Sequence, residues 1–195
     1  MRYSLQMAKD ISKISTKNSG EEIVQRDNPV LRKKAKQVAL HDIGTPKINK
    51  IIKDMSVALA TQKDGIAIAA PQIGVSLQIF VVSGSLLALA DKTYAGNKKD
   101  LVFINPKIIR KSKDKHEVEE GCLSVRWLYG MVPRSTRATL KAYNEKGQLI
   151  ERGASGILAQ IFQHETDHLN GILFIDSAVK TWEMTDEEIA EIQKI

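Results

Sequence analysis

Gln163-His164-Glu165-Thr166-Asp167-His168-Leu169-Asn170-Gly171 reads as a metal-binding helix that carries its own base. Two helical residues four apart lie one turn apart along the axis and about 40° apart around it, so His164 and His168 can hold one ion between them. Glu165 follows the first histidine by one residue and lies on the flank of the same face. From there it can take a proton from a water on the ion without being a ligand itself. Upstream, Ile157 and Ile161 fall in step with the two histidines, while Leu158, Phe162 and Leu169 make an adjoining apolar stripe, so the histidines continue a buried face. Asn170-Gly171 supplies the stop, Gly being suited to the left-handed conformation that ends a helix.

The chain has one cysteine, which rules out an internal disulfide and fits a reducing compartment. A lone Cys is usually a small buried residue, but beside a paired-His motif Cys122 is the candidate third ligand. Cys122, His164 and His168 together offer one thiolate and two imidazoles and leave a fourth position open, which marks a catalytic rather than a structural site. An ion so held lowers the pKa of its water toward ~7 and polarises a carbonyl, while Glu165 accepts the proton and passes it to a leaving amine. The reaction class is amide hydrolysis. Its tetrahedral intermediate needs donors, for which the side-chain amide of Gln72 and the backbone N–H of Leu123 are the candidates.

A chain of 195 residues suits one domain with a terminal arm. Hydrophobic content of 43% and charged content of 27% are those of a soluble globular protein. No apolar run approaches the ~20 residues of a bilayer span, which excludes a membrane protein. The net charge of +6 gathers locally at Arg32-Lys33-Lys34-Lys36 and Arg110-Lys111-Lys113-Lys115, without the aromatic interleaving of a nucleic-acid motif. These read as solvated surface, and no direct nucleic-acid recognition is expected.

In chain order, residues 1–20 are polar and read as a flexible arm. The arm has only Asp10 as an acid, which keeps an organellar transit peptide open beside the cytoplasmic reading, although its Arg content is low for one. Asn28-Pro29 opens a short helix, and Thr45-Pro46 caps a helix that runs to residue 61 or 62. Asp64-Gly65 breaks it. Residues 66–74 are small, with Gly and Pro, and either let backbone run close to a ligand or form a buried turn. Residues 77–83 read as a buried strand, 86–90 as a short helix, and 101–105 and 107–111 as two strands parted at Asn105-Pro106. Residues 131–143 alternate and 144–147 close a hairpin. Residues 172–175 make a short strand or turn, and Thr185 with Glu188 forms a capping box for an acidic final helix. Strands in the middle with helices before and after make the class α+β. The expected organisation is an arm over 1–20, one catalytic domain over 21–182 and a C-terminal helix over 183–195.

Three stretches, residues 65–72, 120–124 and 163–171, resemble the three signature motifs of peptide deformylases, and a weaker resemblance extends from residue 21 to 176. It implies mixed and antiparallel sheets packed around a central metal-binding helix. It also implies hydrolysis of the formyl group from the N-terminal formyl-methionine of nascent chains, with release of formate. By the same resemblance Cys122, His164 and His168 hold the metal, Glu165 is the acid/base, and Gln72 with the Leu123 N–H stabilises the oxyanion. Ile66, Ala67 and Ile68 lie along the substrate backbone, Glu120 and Gly121 belong to the substrate site, and Val118, Ile157 and Ile161 line the methionine pocket. Asp167 orients a ligand or is an ordinary surface carboxylate. The implied metal is Fe2+, replaceable by Zn2+, Ni2+ or Co2+. The implied partners are N-formyl-methionyl peptides, with transient proximity to the ribosome, met by a monomer, a dimer being left open. Three positions depart from the family pattern: Ala67 stands for a second Gly, Arg126 for a Pro after Ser124-Val125, and Tyr129 where many bacterial members carry Arg. The paired-His motif alone would also suit a zinc peptidase whose third ligand lies downstream, such as Asp176 or Glu183, but that reading leaves Cys122 and Gln72 without a task. A non-catalytic binding protein that keeps the fold is the other alternative.

Overall fold

The computed structural model describes residues 22–194 apart from 63, 91 and 95–98, so the arm expected over residues 1–20 lies outside the described residues. Among the described residues eight strands form two sheets: a five-stranded one in the order β1-β2-β3-β6-β7 and a three-stranded one in the order β4-β5-β8. The strands are β1 Ala67–Ala69, β2 Ile79–Val82, β3 Leu101–Lys111, β4 Lys115–Cys122, β5 Val125–Ser135, β6 Arg137–Tyr143, β7 Leu149–Ser155 and β8 Lys180–Glu183. Every pairing within the two sheets is antiparallel. With helices α1 Pro46–Ala60, α2 Gly84–Ala90, α3 Gly156–Leu169 and α4 Asp186–Lys194, the class is α+β.

Helix α3 packs against strands of both sheets, which places the paired histidines at the junction between them. Its Leu158, Ile161 and Phe162 meet Phe80, Phe103 and Leu140 of the larger sheet, with Phe162 set edge-on to Phe103 at 5.2 Å between centroids. The opposite face of that sheet is covered by α1, where Ile48, Met55 and Leu59 join Ile68, Ile79, Val81 and Ile104. Burial on both faces is why residues 79–82 are apolar without alternation. Helix α1 starts as expected, with the Thr45 hydroxyl accepting from the Ile48 N–H and Pro46 in the first turn.

Several local expectations are corrected. Residues 101–111 form one strand, because Asn105 absorbs the irregularity at a φ of 51° while its side-chain amide exchanges two hydrogen bonds with the backbone of Val38. The alternating run over 131–143 is divided between the sheets: β5 ends at Ser135, Thr136 makes the passage, and β6 begins at Arg137. Val132, Arg134, Ala138, Leu140 and Ala142 are all buried and share one parity on both sides of the crossing, where the buried Ser135 and the half-buried Thr136 interrupt it. Of the strand or turn expected over residues 172–175, the turn is found, as a 3-10 turn at Phe174–Asp176. Strand β8 went unread, and α4 starts at Asp186 rather than at residue 183, capped by the predicted Thr185 and Glu188 pair.

The end of α3 rests on a glycine. Gly171 has a φ of 77°, and a Cβ there would sit 2.8 Å from the carbonyl carbon and oxygen of Arg32. Gly171→Ala is expected to lower unfolding stability by about 2 kcal/mol or more, the left-handed conformation and the backbone clash adding together. Urea unfolding measures it, and a loss under about 0.5 kcal/mol would mean that the Arg32 segment moves aside freely.

Candidate metal centre

Cys122 ends β4, and His164 and His168 occupy successive turns of α3. Their three donor atoms lie within 4.8 Å of one another, with Cys122 Sγ 3.1 Å from His168 Nε2. The imidazole rings stand edge to face, 5.0 Å apart between centroids. One soft sulfur with two imidazole nitrogens suits a divalent transition ion. Burial pushes the Cys122 thiol up, but His168 and His164 outweigh it and hold the thiol well below its ordinary value, toward the thiolate that ligates. One oxygen of the buried Glu165 carboxylate, Oε2, has no hydrogen-bond partner among the described residues. These features fit a bound metal and its water.

Glu165 is 3% exposed. Burial raises its pKa, and the cationic forms of His164 and His168 only partly offset this. A carboxyl raised in this way is a better proton acceptor than a surface glutamate.

His164 is held from behind. Its Nδ1 lies 2.9 Å from Glu120 Oε2, leaving Nε2 for the ion. Burial alone would lower the imidazole pKa, but the Glu120 carboxylate reverses this and raises it, so metal uptake has to displace a proton. Glu120 is itself gripped by Arg134, whose Nε and Nη2 donate to its two oxygens at 2.8 and 2.9 Å. Burial would raise Glu120, yet His164 and Arg134 hold it well below the usual carboxylate range. Arg134 also donates to Asp167 Oδ2 at 2.5 Å. Asp167 therefore acts on the site through Arg134, and Glu120 lines the cleft while its carboxylate braces a histidine.

Gln72 lies in the 3-10 turn Ala70–Ile73 that follows β1. Its Oε1 accepts from the Ala69 N–H at 2.8 Å, which turns Nε2 toward Cys122 Sγ at 3.6 Å and Ser124 Oγ at 3.2 Å. Leu123, next to the cysteine, is buried, and its side chain would meet a Cβ at Gly65 at 2.8 Å, so that glycine makes room for it. Gln163 anchors the helix by pairing its amide with both the N–H and the C=O of Ser135 at 3.0 and 2.9 Å.

A cleft of about 340 Å³, its open mouth included, is lined by Asp64, Ile66, Ala67, Glu120, Gln160, Ile161, His164 and Glu165. Ile68, Val118, Gly121 and Ile157 are not in this lining: Ile68, within β1, packs its side chain into the core shared with α1, and Ile157 packs against the core on the other face. Sequence reasoning missed Asp64, Gln160 and Arg134. Arg134 was signalled, since a charge on the buried parity of an alternating strand needs a buried partner. Gln160 stands one turn before His164, but no local pattern points to Asp64.

The polypeptide deformylase family profile matches residues 21–183. A peptide deformylase of Pseudothermotoga lettingae is 44% identical over 149 residues, covering 76% of this chain and 77% of its own. The crystal structure of the Thermotoga maritima peptide deformylase superposes with a TM-score of 0.71 at 34% identity, over 84% of this chain and all of that one (100%). The Met-Ala-Ser-bound class I type b peptide deformylase of Acinetobacter baumannii superposes with a TM-score of 0.72 at 28% identity, over 83% of this chain and 99% of its own. With the Cys122, His164 and His168 cluster in place, the chain belongs to the polypeptide deformylase family of metal-dependent hydrolases and removes the N-terminal formyl group from nascent peptides.

Proposed function

We propose that Cys122, His164 and His168 hold a ferrous ion natively, that Glu165 is the acid/base, and that Gln72 Nε2 with the Leu123 N–H receives the oxyanion of formyl-methionyl peptides. The observation that carries this reading is the buried Glu165 carboxylate, with one oxygen unpartnered, beside a three-donor cluster. An ion bound there activates water and polarises the formyl carbonyl. Glu165 accepts a proton as water adds to that carbonyl and returns it to the methionine nitrogen as the C–N bond breaks, giving formate and a free amine. The donor set also accepts Zn2+, Ni2+ or Co2+, so cellular supply decides occupancy.

Strands β1 and β4 are each terminal in their sheets, and residues at both edges line the cleft. An extended peptide can lie between such edges through main-chain hydrogen bonds, with Ile66, Ala67 and Ile68 on one side and Glu120 and Gly121 on the other. Ile66 and Ile161 give the methionine side chain an apolar wall, as an unbranched thioether requires. Ile157 packs in the same cluster as Ile66 and Ile161 and supports that wall from behind, and Val118 is kept as a pocket candidate on the resemblance alone. Residues 21–182 form the catalytic domain of a monomer that meets nascent chains near the ribosome, in a bacterial-type cytoplasm or an organellar matrix, without reading nucleic acid itself.

The test is formate release from formyl-Met-Ala-Ser by protein loaded anaerobically with ferrous iron, compared with zinc-loaded and chelator-stripped protein. Iron-dependent release is expected, with zinc-loaded protein slower. No release from protein holding one iron per chain would overturn the reading.

A further inference from the structure

Strand β5 opens irregularly: Cys122 pairs with Val125 but Gly121 pairs with Tyr129, so residues 126–128 bulge from the ladder. Trp127 in this bulge has a φ of 64°, rare for a bulky side chain. The bulge is held by the Trp127 carbonyl accepting from Met184 N–H and by the Arg126 guanidinium lying 5.3 Å from the centre of the Trp127 ring. Arg126 then reaches the opposite wall of the cleft. Its Nη1 donates to both Asp64 oxygens at 2.9 and 2.7 Å, and its Nη2 donates to the Gln62 side-chain oxygen. The side chains of Arg126 and Asp64 are 24% and 15% exposed, so solvent screens the pair only partly.

The segment running from Asp64 through β1 to Gln72 is thereby pinned to the ligand hairpin at both ends. Gln72 bonds Ser124 at one end, and Arg126 grips Asp64 at the other. Asp64 itself lines the cleft. The guanidinium is fixed in angle as well as distance because its two terminal nitrogens are held by different side chains, Nη1 by the Asp64 carboxylate and Nη2 by the Gln62 amide oxygen. β2 holds β1 from its other side, through the pairs Ala67–Val82 to Ala69–Phe80, so losing the Arg126 pin loosens the Asp64 end of the segment toward the hairpin.

We propose that Arg126 is a positioning residue for the peptide substrate: by clamping Asp64 it fixes the separation between the β1 edge and the Cys122 hairpin, and so the width of the slot that the peptide backbone enters. This rests on the reading that the substrate lies along β1. Arg126 touches none of the reacting atoms, so its loss falls on substrate affinity and leaves the chemical step intact.

The experiment compares kcat and KM of wild-type, Arg126→Gln, Arg126→Lys, Asp64→Ala and the Arg126→Gln/Asp64→Ala double variant on formyl-Met and formyl-Met-Ala-Ser. Metal content and melting temperature are followed for each. Each single loss is expected to raise the tripeptide KM by about five- to tenfold with kcat within about twofold. The double variant should be no worse than either single one, formyl-Met should be less affected, and Lys should recover part of the loss. If Arg126→Gln fails to fold, Asp64→Ala tests the clamp from its other end. An unchanged tripeptide KM, a fall in kcat alone, or losses that multiply in the double variant would overturn the clamp. A wild-type protein that treats the two substrates alike would instead remove the β1 reading, and the clamp with it.

Discussion

Glu165→Ala protein holding one metal ion per chain is expected to lose formate release by a factor of about 10²–10⁴, the span attributable to a positioned acid/base. Glu165 is 3% exposed, adjoins both histidines on α3, and carries a buried oxygen with no partner among the described residues. It is also outside the group of donor atoms that can close on an ion. The variant should therefore bind metal nearly as tightly as the wild type while its kcat collapses, and KM should move little. Glu165→Gln should be equally inactive, since an amide keeps the shape and cannot take the proton. The measurement is formate release at saturating formyl-Met-Ala-Ser, with metal determined on the same sample. Activity within about tenfold of wild type at full metal content would assign the proton transfer elsewhere.

Arg134→Met is expected to cost about 3 kcal/mol of unfolding stability and to weaken metal binding by about 10- to 100-fold. The Arg134 and Glu120 side chains are only 9% and 2% exposed, and removing the guanidinium strands a carboxylate in a place that water does not reach. Glu120 then keeps His164 and the longer contact from Gln160 at 3.4 Å. The sign of the pH dependence follows. In the wild type the folded pKa of Glu120 lies well below its ordinary value of 4.5. Its contribution to stability is thus present above 4.5 and is lost as pH falls toward the folded value. The unfolded chain is common to both proteins, so the variant's deficit is full while Glu120 is ionised in both folded states and shrinks as pH falls through the variant's folded Glu120 pKa, which lies above that of the wild type because the Arg134 stabilisation is gone. Asp167→Asn, which removes the 27% exposed partner of the same arginine, should cost much less. Urea unfolding at pH 7 and pH 4, with metal titrations, measures both effects. A neutral-pH deficit no larger than that of a volume-matched packing loss, about 1 kcal/mol, would mean that Arg134 acts by packing alone.

Residues 163–171 could be read without a structure because helical spacing is set by the backbone itself. Whatever the surroundings, i and i+4 share a face, so two histidines and a flanking glutamate already define a site. The Thr45-Pro46 start of α1, the Thr185 and Glu188 cap of α4 and the Asn170-Gly171 stop were legible for the same reason, each being satisfied within one turn of chain. Cys122 as a ligand was legible by elimination of other tasks, and the resemblance of three short stretches supplied the substrate.

Alternation lacks that power. Parity along residues 131–143 says which side chains are inward but not which sheet holds them, and the chain changes sheets at Thr136 with the same parity inward before and after. At Asn105-Pro106 the apparent break is carried inside one strand by bonds to Val38, 67 residues away. The supports of the site share this remoteness. Glu120 meets a histidine 44 residues on, Arg134 meets Asp167 across 33, and Arg126 meets Asp64 across 62. The sequence by itself thus nominated His164, His168 and the flanking Glu165, which obey spacing along one helix, and offered Cys122, on a strand 42 residues before His164, as the third candidate ligand. Only the tertiary structure decided which buried charges hold those ligands still and what clamps the cleft beside them, because such pairs are set by the packing of two sheets on one helix.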